Sequence, residues 1–330
     1  MSDLSSITTS VSLLLNQYLL IVILFIGTFG NAMNLFIFTR PIVRRNPFSI
    51  YLLCASISGL IVLYSGCLTR CLLAYNSDPT TRSVFICKIR YFLLSSSSII
   101  FYWSIALAML DRYFLSCRQQ IRRNQSNLKN AYRSTILILI LSLINVQSFY
   151  CYDIVDLQCT TRNQTCLFYN SIVQAFLYLF IPSLFIIIFG CLIIVNIKKV
   201  DRRIVPASNS ISHNRHRRTD RQFTRMLLAQ VLLLTIFRLP INIRRVQSFI
   251  TASMSKTETQ LTIEAFLDQL LTLLAYISVT LPFYVFVLSG TIFRQILISS
   301  IRQIFHLVSW SPSPPQQTQR QLINIRYTST

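Results

Sequence analysis

Apolar residues in this chain neither alternate nor mark one face of short helices; they run on in blocks. Seven such blocks are read as Tyr18–Thr39, Ser49–Thr69, Ile89–Ser116, Ser134–Tyr152, Tyr169–Ile197, Phe223–Ile250 and Leu261–Leu288. At 1.5 Å rise per residue, each is long enough to cross a hydrocarbon layer of about 30 Å. Lipid offers backbone amides no hydrogen-bond partner, so such blocks must be helical. The pattern predicts an all-α membrane protein, a seven-transmembrane helix bundle over 18–288. An N-terminal segment, 1–17, precedes it. No internal repeat appears, nor the paired broken helices of transporters.

After the last block the period changes. Ile292, Phe293, Ile296, Leu297, Ile301, Ile304 and Phe305 fall on one helical face, with Arg294, Gln295, Arg302 and Gln303 on the other. Residues 289–305 therefore read as an amphipathic helix lying along a membrane surface. The Pro- and Gln-rich remainder, 306–330, is expected to be disordered.

Composition agrees: the 330 residues are 53% hydrophobic and 12% charged. Net charge is +21, which in a soluble protein would point to nucleic acid. Here 22 of the 31 basic residues, but three of the ten acids (Asp111, Asp201, Asp220), fall in alternate loops, span ends and the tail. That asymmetry predicts an outside N-terminus and an inside C-terminus, with the basic loops attracting membrane lipids rather than nucleic acid. No basic stretch precedes the first apolar run, so that run is expected to act as signal and span together.

Of nine cysteines, Cys54, Cys67, Cys117 and Cys191 fall in spans or at inner ends. Cys71, Cys87, Cys151, Cys159 and Cys166 fall on or near the outer, oxidising side. Cys87 opens span three, and Cys159 or Cys166 in the loop before span five could reach it. Cys159 is favoured, because Cys166 sits so close to span five that little loop would remain; Cys166 then pairs with Cys151 or stays free. Asn163-Gln164-Thr165 in the same loop is a glycosylation sequon. His213 and His216 lack companion ligands, so no metal site is expected, and no cofactor motif appears. Without a phosphate loop, nucleophile elbow or paired catalytic acids, an enzyme is not expected.

Asp111-Arg112-Tyr113 ends span three, 25 residues after Cys87 by its arginine; Asn31 lies in span one, Pro182 in span five and Pro240 in span six. Together with seven spans and an outside N-terminus, these resemble rhodopsin-like (class A) G-protein-coupled receptors over almost the whole chain, especially divergent invertebrate neuropeptide receptors. The resemblance implies that Arg112 is a switch, clamped at rest by Asp111 and by an acid at the start of span six, for which Asp220 stands at the right distance. Release would let span six swing outward and admit a heterotrimeric G protein, with arrestin as a further partner.

The pattern also breaks. Ser58 stands where the family keeps a sodium-binding Asp in span two, so no sodium site is implied. Span seven reads Thr-Leu-Pro-Phe-Tyr around Pro282, putting Phe286 or Val285 where a Tyr is usual. In span six, Arg238 stands beside Pro240 in place of a Trp. An arginine near mid-membrane costs about 2.5–3.5 kcal/mol on insertion scales and usually faces a cavity or a partner. Asp268 is one candidate partner and an anionic ligand group is another. Leu94 replaces the Asp of amine receptors, and no lysine lies in span seven, which excludes monoamine and retinal ligands. Tyr91, Phe92, Arg244, Arg245, Asp268, Gln269 and Tyr276, with Leu94 and Arg238, are the pocket candidates, and their mixed charge suits a short extracellular peptide. The resemblance places the protein in the plasma membrane. A transporter, or a receptor-like protein that does not couple, is the alternative.

Overall fold

In the computed structural model, residues 8, 10–44, 46–117, 119–155, 158–201, 211–251 and 256–308 are described; within them, the side chains of 42, 175, 179, 197–201, 211–221, 223, 249, 292, 301 and 303–308 are not. Seven helices are long and apolar enough to cross a membrane: α1 (Ser10–Phe38), α2 (Pro47–Ala74), α3 (Val84–Ser116), α4 (Leu128–Cys151), α5 (Gln164–Asn196), α6 (Thr224–Ser248) and α7 (Glu258–Thr280). Their outward faces carry large apolar side chains, among them Phe25, Leu137, Ile140, Leu184 and Ile236, as expected of a surface solvated by lipid.

Each apolar block became a helix, and every span except α6 starts ahead of its block. Helix α1 starts by Ser10, so the 1–17 segment is partly helical rather than a separate tail. Asparagine caps explain three of the early starts. Asn46 accepts from the Phe48 amide ahead of Pro47, Asn127 from Asn130 and Asn163 from Cys166. Each satisfies an orphan amide at a helix start. Thr257 and Gln260 form a reciprocal capping box at the start of α7.

The helices pack side by side, with α3 against α2, α4 and α5, and α7 against both α6 and α1. The shared core includes Leu63, Phe101, Ile105, Met109, Leu227, Val279 and Phe286. Three π-helical turns, Leu15–Leu19, Leu63–Leu68 and Gln174–Phe180, interrupt α1, α2 and α5. The last lies just before Pro182, and Trp103 Nε1 of α3 donates to the carbonyl of Leu177 within it at 3.0 Å, so a widened turn becomes an interhelical contact. Pro240 lies inside the α6 helix without ending it.

Span seven does not run unbroken to Leu288. It stops at Thr280, restarts as α8 (Pro282–Ser289), then bends by 105° into α9 (Thr291–Val308). Phe293 is buried against Phe38, Phe283 and Phe286, while Arg294, Gln295 and Arg302 are exposed. The α9 helix is thus amphipathic in its described part and ends at Val308, beyond the expected 305; residues 309–330, the expected disordered tail, lie outside the described residues.

One element was not expected from an all-α reading. Between α4 and α5 the chain forms an antiparallel hairpin, β1 (Tyr152–Val155) with β2 (Gln158–Thr161), in which Tyr152 faces Thr161 and Ile154 faces Cys159. Cys87 is bonded to Cys159 and Cys151 to Cys166, with Cα atoms 5.7 and 5.3 Å apart. Two strands alone are marginal in water. Here the first bond fixes the hairpin to α3, the second joins α4 to α5, and Tyr152 stacks on Tyr91 with ring centres 3.7 Å apart.

Candidate functional site

Two polar sites occupy opposite ends of the packed helices. At the end of α3 marked by Asp111 and Arg112, both side chains are withdrawn from solvent and their charges lie 3.7 Å apart. Arg112 Nη2 also donates to Asn46 Oδ1 at 2.8 Å, and its guanidinium lies 4.3 Å from the centre of the Phe48 ring. The Asn46 oxygen thus serves twice, capping α2 and receiving α3's arginine. Ser126 donates to Asp111 at 2.5 Å, and Arg122 donates to the Tyr113 hydroxyl at 3.0 Å. Residues between α3 and α4 therefore hold the triplet from outside. The predicted Asp220 contact falls on a side chain outside the described residues.

The far end holds a cavity of about 320 Å³, within the usual range for small-ligand sites. Its walls come from α2, α3, α5, α6 and α7, with Tyr152 and Thr161 of the hairpin beside them. Room is made partly by small side chains: Ser95 and Ser98 line it on α3, and Gly66 on α2 has the Tyr276 hydroxyl 2.6 Å from where a Cβ would stand. No methyl group fits there without moving a tyrosine.

Four arginines line this cavity: Arg70, Arg90, Arg238 and Arg245. No acidic side chain does among the described residues. Arg90 donates through Nε to the Ser65 carbonyl at 3.1 Å and lies over Tyr91. Arg238 lies over the Tyr102 ring at 4.8 Å, and its Nε is buried without a hydrogen-bond partner. Arg245 lies within electrostatic reach of Arg238 and Arg70. Tyr152 does not offset these charges, because burial, reinforced by Tyr91 and Tyr178, pushes its phenol above its ordinary pKa against the opposing pull of Arg245 and Arg90. It stays a neutral hydroxyl at physiological pH.

Several sequence expectations are corrected here. Asp268 does not pair with Arg238; it contacts Arg244 at 3.2 Å, while Glu264 contacts Arg244 at 2.9 Å and Lys256 at 2.6 Å. Arg244 is thereby buried in a compensated cluster and, with Asp268, lies outside the cavity lining. Gln269 is also outside it, bonded through both ends of its amide to Ser12. Phe92 packs on Phe149 instead. Leu94, Tyr91, Arg238, Arg245 and Tyr276 do line the cavity. Arg70, Arg90, Tyr102, Tyr152 and Tyr178 were missed. Arg70 and Arg90 carried one usable signal, since each sits within a turn of one end of an apolar block.

The positions where the family pattern breaks are filled by packing. Ser58 is buried and donates to the Cys54 and Ala55 carbonyls of its own helix. Phe286 is fully buried with its ring edge-to-face on Phe38, while the Tyr284 hydroxyl turns to the Ile26 carbonyl on α1. Asn31 donates to the Gly27 and Val279 carbonyls, linking α1 to α7. Asn163 is exposed, and its Oδ1 caps α5, which leaves Nδ2 unused by the cap.

No protein-family model matches the chain, and no curated protein matches it.

Proposed function

We propose that the chain is a rhodopsin-like G-protein-coupled receptor: a seven-transmembrane helix bundle in the plasma membrane, N-terminus outside, that binds an extracellular ligand and activates a heterotrimeric G protein. One observation carries the reading. The same helix, α3, holds a buried, acid-flanked arginine at one end and lines a disulfide-roofed cavity at the other. A ligand seated between α3 and α6 bears on Arg238 and Arg245, which flank the Pro240 interruption of the α6 hydrogen-bond ladder. Movement of α6 about that point changes what faces Arg112. At rest Arg112 is held by Asp111 and Asn46 and, in this proposal, by Asp220. A ligand shifts the equilibrium only by its differential affinity for the two arrangements.

The test is nucleotide exchange on a G protein by the protein in lipid nanodiscs, screened against a short-peptide library. Agonist-dependent exchange, with Asp220→Asn raising the basal rate, is the expected result. Substrate flux without exchange would establish the transporter alternative. Binding without exchange would establish a receptor-like protein that does not couple, for which the absence of an inward-facing tyrosine at Phe286 is the supporting feature.

A further inference from the structure

Arg90 bonds α3 to the Ser65 carbonyl of α2 and Arg238 lies over Tyr102, but among the described residues no acid lines the space the four arginines share. Arg244 provides an internal comparison. It immediately precedes Arg245 on α6, yet its charge is paired with Glu264 and Asp268, although its Nε and Nη1 make no hydrogen bond. Asp268 also reaches Arg245 electrostatically, but its close contact is with Arg244. Successive residues on a helix point about 100° apart, so one arginine is buried in the fold and its neighbour is exposed along the cavity. Arg238 and Arg245, seven positions and therefore two turns apart, stand on one stripe of α6 and enter the cavity together. Arg70 and Arg90 approach from α2 and α3.

We propose that this cavity selects a ligand carrying two or more negative charges, as carboxylates or phosphates, clamped between Arg238 and Arg245 of α6 and Arg70 and Arg90 of α2 and α3. This deepens the receptor reading and rests on the cavity being its ligand site. Guanidinium forks match carboxylate and phosphate oxygens in pairs. An anion seated among them relieves the mutual repulsion of the four cations, and in doing so draws α6 towards α2 and α3. The tyrosine hydroxyls at Tyr102, Tyr152 and Tyr276 add neutral donors around it. The charges come from one of two sources: a free small polyanion, or the acidic side chains and terminal carboxylate of a short peptide.

Purified full-length protein in nanodiscs would be titrated by calorimetry and thermal shift with citrate, pyrophosphate, and a tri-glutamate peptide with its C-terminus free or amidated. Citrate trimethyl ester and tri-glutamine are the uncharged controls. At least one polyanion should bind and raise Tm by several degrees, with its control inert. A citrate or pyrophosphate response assigns the free-anion source, and a tri-glutamate response assigns the peptide source. Arg238→Gln and Arg245→Gln should each weaken binding about tenfold or more, while Arg82→Gln, an exposed charge on the same side outside the cavity, should leave it within twofold. Arg238→Lys and Arg245→Lys, which keep the charge but not the fork, should lose less; they serve where the Gln variants fail to fold. Absence of binding by every polyanion, or binding indifferent to both cavity substitutions, overturns the proposal. Polyanion binding at the cavity without nucleotide exchange would remove the receptor reading and leave this inference standing. Exchange driven by a ligand whose potency ignores Arg238 and Arg245 would do the reverse.

Discussion

Asn46 both caps α2 and receives Arg112, so Asn46→Ala should cost more than an ordinary cap. Its Oδ1 accepts from the Phe48 amide at 3.4 Å and from Arg112 Nη2 at 2.8 Å. Loss of an N-cap costs about 1 kcal/mol, and a hydrogen bond to a charged group contributes about 1.5–3 kcal/mol. Together these give about 2.5–4 kcal/mol, or roughly two to three powers of ten in the folded-to-unfolded ratio. The two contributions separate in a double-mutant cycle with Arg112→Gln, read by reversible unfolding in mixed micelles. The cap loss belongs to Asn46 alone, whereas the Arg112 contribution should appear as a coupling of about 1.5–3 kcal/mol. Asn46→Asp should restore the stability, because aspartate caps as well as asparagine and makes a charge-assisted bond to the guanidinium. If Asn46→Ala and Arg112→Gln add to within about 0.5 kcal/mol, the two residues do not act together and the reasoning fails.

Other expectations follow from the same geometry. Cys159→Ser should destabilise more than Cys166→Ser: the bonds close loops of 72 and 15 residues, about 4.4 and about 3 kcal/mol in the chain-entropy form, and equal melting losses would contradict that. Gly66→Ala places a Cβ 2.6 Å from the Tyr276 hydroxyl and 2.8 Å from Leu94, so it should lower Tm and weaken binding in the cavity together; unchanged binding would show that the tyrosine is not part of the site. Thr165→Ala and Asn163→Gln should both remove a glycosidase-sensitive mass from protein made in eukaryotic cells, but only Asn163→Gln also loses the α5 cap and about 1 kcal/mol. An unaltered mass in both would place that loop on the side away from the glycosylation machinery.

What could be read from the chain alone was whatever lipid imposes locally. Seven apolar blocks became seven helices because a segment in hydrocarbon must satisfy its own amides, a rule that needs no knowledge of neighbours. The amphipathic face around Phe293 was likewise legible in the change of period. Boundaries were less so: blocks were delimited by hydropathy, whereas helices ran on to caps such as Asn46, Asn127 and Thr257. The hairpin before α5 carried little period of its own, and two disulfides with the Tyr91–Tyr152 stack give it a place.

Partner choice belonged to the tertiary structure. Nothing in the string Arg244-Arg245 says that the first meets Glu264 and Asp268 while the second enters a cavity, or that Arg238 lies over Tyr102 rather than beside Asp268. Rotation about a helix axis turns each residue about 100° from the last, and only packing against distant segments fixes which direction finds an acid, a ring or open water. The sequence thus determined that charges are buried among apolar helices. The fold decided which of them are answered within the protein and which are left facing the cavity.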